Sequence, residues 1–304
     1  MLVSLGAESM TCMNFASLLR TRTLIALAAR LVAVAALVAP LGACSSLDGL
    51  FGDKYETKIL PDVPADESYN QGLARLQKKD YEGAAKKFDD IEKQHPYSEY
   101  SKKGLVMSTY SEYEAGKYTD AIQSGQRFVT RYPTSPDAAY AQYLVAMSYY
   151  HQIPDITRDQ DTASKALDAF QAVVTKYPKS EYAEDAKYKI QVTRDQLAGK
   201  EMSVGRFYLR RNNYTAAINR FREVLGKYQT TRQTEEALMR LTEAYIGLGI
   251  IHEAQTAAAV LGHNFPDSTW YKDAFSKLQS AGAEPKESRD SWISRLFRGK
   301  TSQG

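Results

Sequence analysis

From about residue 66 to residue 280, apolar residues recur at intervals of three and four, with polar and charged residues between them. That period belongs to amphipathic helices, and it predicts about ten of them with almost no strand. Five short stretches punctuate the run: HPYSEYSKKG (95–104), YPTSPDAAYA (132–141), YPKSEYAEDA (177–186), YQTTRQTEEA (228–237) and FPDSTWYKDA (265–274). Each sets an aromatic residue or His before a Pro, or before Gln229 in the fourth, and a Ser or Thr soon after.

Aligned on Pro96, Pro133, Pro178, Gln229 and Pro266, the chain shows three columns. Twelve residues before the anchor stand Ala84, Ala121, Ala166, Ala217 and Ala254. Eight before it stand Phe88, Gly125, Phe170, Phe221 and Ala258, and five before it Ile91, Phe128, Val173, Val224 and Leu261. These positions share one helix face, where a small Ala admits a close neighbour and the larger side chains fill the gap. The Pro stops the helix, and the Ser or Thr after it, Ser180 in the third copy, is expected to cap the next. Pairs of helices ending in this way are the pattern of a tetratricopeptide repeat. The predicted fold is all-α: a tetratricopeptide-repeat solenoid of five helix pairs over residues 66–283.

The anchors are 37, 45, 51 and 37 residues apart. The polar stretch HQIPDITRDQDT (151–162) accounts for the first long interval as a loop inserted in repeat three. In the second, the helical pattern from Ser180 to Arg211 is interrupted mainly by Gly199, which predicts one long helix or two nearly continuous ones.

The N-terminus follows another rule. Arg20, Arg22 and Arg30 precede an apolar run from Leu31 to Leu41, and Gly42 and Ala43 precede Cys44. Basic, apolar and small regions in that order form a secretory signal. The apolar run is about half of the ~20 residues that a membrane span needs. LGAC (41–44) resembles the lipobox of bacterial lipoproteins, which implies a signal over 1–43, with Met1 or Met13 as its start, and an acylated Cys44 as the first mature residue. Ser45 and Ser46 follow with no Asp at the second position, which by the same resemblance implies the outer membrane. Residues 44–65 then read as a tether.

Composition and charge narrow the function. The 304 residues are 25% charged and 43% hydrophobic, with a net charge of +3. Without residues 1–43, 36 basic and 35 acidic residues remain. So even a balance excludes a general field for nucleic acid. Cys12 and Cys44, both ahead of the repeats, exclude a disulfide framework. His95, His151, His252 and His263 show no i,i+4 pair, and no phosphate-binding loop or nucleophile elbow occurs. The chain reads as a non-enzyme with no cofactor and no metal.

Two segments stand out as candidate surfaces. Residues 199–228 hold Lys200, Arg206, Arg210, Arg211, Arg220, Arg222 and Lys227 against Glu201 and Glu223. This is either a solvated face or a dock for an acidic partner, with Arg211 and Arg220 as the candidate contacts. In the tail, 284–304, DSWISRLFRGK sets Trp292, Ile293, Leu296 and Phe297 on one helical face. It reads as a flexible segment or as a short amphipathic helix for a partner or a membrane surface. The 21 tyrosines, among them Tyr69, Tyr81, Tyr110, Tyr113, Tyr140, Tyr143, Tyr149 and Tyr150, either pack between helices or line a peptide groove.

The whole arrangement resembles the BamD family, the lipoprotein subunit of the outer-membrane β-barrel assembly machinery. The resemblance rests on HPYSEYS (95–101), YPKSEYAEDAKYK (177–189), LAGKEMSVGRFYLRRNNYTAAINRF (197–221) and EALMRLTEAYIGLG (236–249), and covers residues 44 to about 280. It implies a lipid-anchored scaffold on the periplasmic face of the outer membrane. Such a scaffold binds the barrel-forming, BamA-like insertase subunit and accessory lipoproteins, and helps receive unfolded outer-membrane proteins. It also implies that the C-terminal repeats, with Arg220, face the insertase and that the N-terminal repeats face substrate. The alternative is another periplasmic repeat adaptor, serving envelope division or peptidoglycan machinery.

Overall fold

The computed structural model describes residues 63–301, with side chains to 298. The signal expected over 1–43, Cys44 and nearly all of the tether lie outside the described residues. Twelve helices and no strand occur among the described residues. Five antiparallel pairs come first: α1 Ala65–Gln77 with α2 Tyr81–Gln94, α3 Glu99–Glu114 with α4 Tyr118–Arg131, α5 Ala138–His151 with α6 Asp161–Lys176, α7 Tyr182–Arg210 with α8 Tyr214–Lys227, and α9 Gln233–Gly247 with α10 Ile251–Asn264. Two more follow, α11 Thr269–Ser280 and α12 Trp292–Thr301. The count exceeds the ten expected because a solenoid must cover its last exposed face, and α11 does so by packing on α9. None of these helices is long and apolar enough to cross a membrane.

The three sequence columns are the core. Ala84, Ala121, Ala166, Ala217 and Ala254 are all fully buried, as are Ile91, Phe128, Val173, Val224 and Leu261. The middle column is a fitted pair of large and small residues. A methyl added to Gly72 would overlap the Phe88 ring, and one added to Gly205 would overlap Phe221. In repeat two the sizes are exchanged, with Thr109 of α3 against Gly125 of α4.

All five second helices end alike. The backbone N–H of His95, Tyr132, Tyr177, Tyr228 or Phe265 closes the last turn, and that residue's carbonyl accepts from the N–H of Ser98, Ser135, Ser180, Thr231 or Ser268. The side-chain caps are less uniform. Ser98 and Ser268 accept from the N–H groups of Tyr100 and Trp270, whereas the Ser180 hydroxyl is buried without a hydrogen-bond partner and Thr231 donates to the Tyr228 carbonyl. The cap expected at Ser180 is therefore not made: backbone hydrogen bonds alone carry the chain into α7, with the N–H of Ala183 donating to the Ser180 carbonyl.

First helices of neighbouring repeats pack on one another, α1 on α3, α3 on α5, α5 on α7 and α7 on α9, while second helices join mainly through them. The first helices thus form the tighter, inner layer of the solenoid. α7 is one helix of 29 residues, and it serves two repeats, packing on α6 along its first half and on α8 along its second. The inserted loop covers the extra length. Ile156 lies where a Cβ on Gly199 would be 2.7 Å away, Lys200 donates to the Thr157 carbonyl at 2.9 Å, and Gln196 donates to that of Pro154 at 3.4 Å. The two long intervals in the sequence are thus one feature, a loop and the helical turns that it covers.

Candidate partner interface

The hairpin of α7 and α8 carries both sequence candidates. α7 ends at Arg210, and Asn212 turns the chain at φ 57, a left-handed conformation that Asn tolerates. Asn213 then caps α8 by accepting from the N–H of Ala216 at 3.3 Å. Arg211 stands at the tip of this turn and, four residues after Phe207 on the same helical face, holds its guanidinium 4.3 Å from that ring's centre. Phe207 is exposed and meets Tyr208 edge-on at 5.6 Å. Tyr208 lines a shallow hollow with Glu201, Asn219, Arg220 and Glu223. In it Arg220 pairs with Glu201 across the hairpin at 3.2 Å while its side chain stays 46% exposed. Arg211 and Arg220 are thus joined through Phe207 and Tyr208 into one aromatic and cationic surface, to which sequence reasoning contributed the cations but not the rings.

The other cations of the cluster are mostly engaged. Arg206 pairs with Glu236 at 2.9 Å, Lys227 with Glu223, Lys200 with the loop carbonyl, and Arg222 stacks on Trp292 at 4.7 Å. Carboxylates thus pair with Arg206, Arg220 and Lys227, while Lys200 and Arg222 keep their charge on neutral partners and Arg210 and Arg211 stand exposed at the tip. Beneath it an ion ladder ties α7 to α9 and α11: Glu236 also meets Arg240, Arg240 meets Glu243, and Glu243 meets Lys277. Burial opposes charge on Glu243, but hydrogen bonds from Arg240 and Lys277 hold its carboxyl below the usual range.

The tyrosines sort into two sets. A continuous run of ring contacts links Tyr110, Tyr140, Tyr182, Tyr143, Phe170, Tyr150, His151, Tyr113 and Tyr118 across repeats two to four. Burial raises the phenols of Tyr140 and Tyr143 above the usual range, and Tyr143 donates to Asp185 at 2.6 Å. These rings are packing. Tyr97 and Tyr188 are the exposed ones among the described residues. No group of three or more metal-binding side chains occurs among the described residues.

A family model described as outer membrane lipoprotein, YfiO, matches residues 61–261. The outer membrane protein assembly factor BamD of Caulobacter vibrioides is 43% identical over 249 residues, 82% of each chain. The chain belongs to the BamD family. A Rickettsia prowazekii BamD is 43% identical over 72% of this chain and 87% of its own, and one from Neisseria meningitidis is 30% identical over 72% and 86%. Among solved structures, MamA matches 72% of the chain and 93% of its own at 19% identity and a TM-score of 0.34. The family model spans the five repeat pairs and ends at Leu261, within α10.

Proposed function

We propose that this chain is an assembly factor for outer-membrane β-barrel proteins. It works as a scaffold, not as an enzyme. Lipid on Cys44 holds it to the outer membrane, facing the periplasm. Repeats four and five bind the barrel-forming insertase subunit, with accessory lipoproteins nearby, and the chain helps receive unfolded outer-membrane proteins. The observation that carries this reading is the 43% identity to the Caulobacter assembly factor over 82% of both chains. The Arg211–Phe207–Tyr208–Arg220 surface supports the partner assignment, since a fork of guanidinium donors beside aromatic rings suits a carboxylate-bearing protein face.

The test is affinity purification of the tagged chain from the envelope in mild detergent. A barrel-forming insertase subunit is expected in the eluate, and its absence would overturn the reading. Arg220→Glu, with helix content checked by circular dichroism, is expected to reduce that recovery by tenfold or more, as loss of a hot-spot contact of about 2 kcal/mol implies. Unchanged recovery would remove Arg220 from the interface.

A further inference from the structure

α12 and the segment before it rest on an apolar side of α10. Six residues before the anchor, repeats one, two and four carry Asp90, Arg127 and Glu223, whereas α10 carries Val260. Nine before it, those repeats carry Lys87, Ser124 and Arg220 and α10 carries Ala257, while repeat three shares the small apolar type at both places with Ala169 and Ala172. The outward side of α10 is thus apolar, and Ala257 and Val260 are buried in one cluster with Leu225 and Ile293.

The chain covers this face itself. Gly282 turns it at φ 72, and residues 281–291 then run without helix or strand. Gln255 donates to the Glu284 carbonyl at 2.9 Å, the N–H of Ser288 donates to Thr256 at 3.3 Å, and Ser291 donates to Glu253 at 2.7 Å. In α12, Ile293 is fully buried, with Trp292, Leu296 and Phe297 packed around it. The Trp292 indole donates to Tyr245 at 3.1 Å and lies under Arg222.

This attachment differs from the repeats. A hollow of about 250 Å³ remains between Val260, His263 and Asn264 of α10 and Phe297 and Arg298 of the tail. A helix of ten residues is shorter than the ~12–15 needed for stability alone, so α12 folds only while docked. We infer that the outer face of repeats four and five is a groove for a short amphipathic helix with a Trp-Ile, Leu-Phe face, and that residues 284–298 occupy it in cis as a releasable ligand. Release frees Arg222 of α8, on the side of that helix away from Arg220.

The probe is a fluorescent peptide of residues 286–301, titrated into the full chain and into the full chain carrying Ile293→Asp. A cis ligand lowers the apparent affinity of a trans one by the fraction of open groove. The variant is expected to keep its helix content apart from α12 and to bind the peptide roughly tenfold or more tightly than the wild type does. The same peptide carrying Ile293→Asp is expected to bind neither. A well-folded variant that ignores the peptide overturns the groove, and a variant that unfolds or aggregates shows the tail to be part of the core. In the wild type, amides 292–298 are expected to exchange hydrogen faster than those of α11; equal protection overturns release.

Discussion

Ser98 and Ser180 occupy equivalent places in two turns and do different things. Ser98 accepts a backbone N–H, while the Ser180 hydroxyl is buried with no partner. Ser98→Ala is therefore expected to cost about 1 kcal/mol, the usual loss of a helix cap. Ser180→Ala is expected to be neutral or stabilising, since it removes an unsatisfied buried hydroxyl; thermal melts of the two variants check the contrast. Glu112 gives a second prediction at this scale. Burial pushes its carboxyl above the usual range, against the hydrogen bond that Ser124 donates at 2.5 Å. A raised carboxyl holds its proton more tightly in the folded chain than in the unfolded one. Its contribution is then best at low pH and is lost as pH rises from the ordinary value of 4.5 through the native one. Glu112→Gln, which still accepts from Ser124, is expected to melt above the wild type at pH 7, with the gap closing toward pH 4.

At the scale of elements, α7 depends on its loop. Gly inside a helix costs about 1 kcal/mol relative to Ala, yet Gly199 leaves room for Ile156. Gly199→Ala alone is expected to lower the melting temperature. In an Ile156→Ala background the same change is expected to raise it, a coupling of about 1–3 kcal/mol in a double-mutant cycle. The sequence showed both irregular intervals and the glycine. It did not show that they meet, because contact between residues 156 and 199 depends on how α5, α6 and α7 stack. The tail read either as a flexible segment or as a short amphipathic helix, without the face it packs on, because the apolar side of α10 becomes a surface only once repeat five is packed.

At the scale of the whole molecule, the first helix among the described residues, α1, begins at Ala65, well after Cys44 in sequence. Cys44→Ala is expected to move the chain from the membrane fraction to the soluble periplasmic fraction with its helix content and melting temperature unchanged. Retention in the membrane would mean that protein contacts, not lipid, hold it there.

The repeats, their number and their core residues were determined by sequence alone, because each column is set by local helix periodicity and by the size of one side chain against its neighbour in the same hairpin. The two candidate arginines were also legible as charges. Tertiary structure decided what holds the cations: Glu236, Glu201 and Trp292 engage Arg206, Arg220 and Arg222 from 19 to 70 positions away in sequence, whereas Phe207 under Arg211 is an i,i+4 pair that helix periodicity already implies. A charge on the surface acts over about 8–10 Å at physiological salt, and which residues of other helices stand within that distance is set by how the helices stack, which no periodicity within one helix encodes.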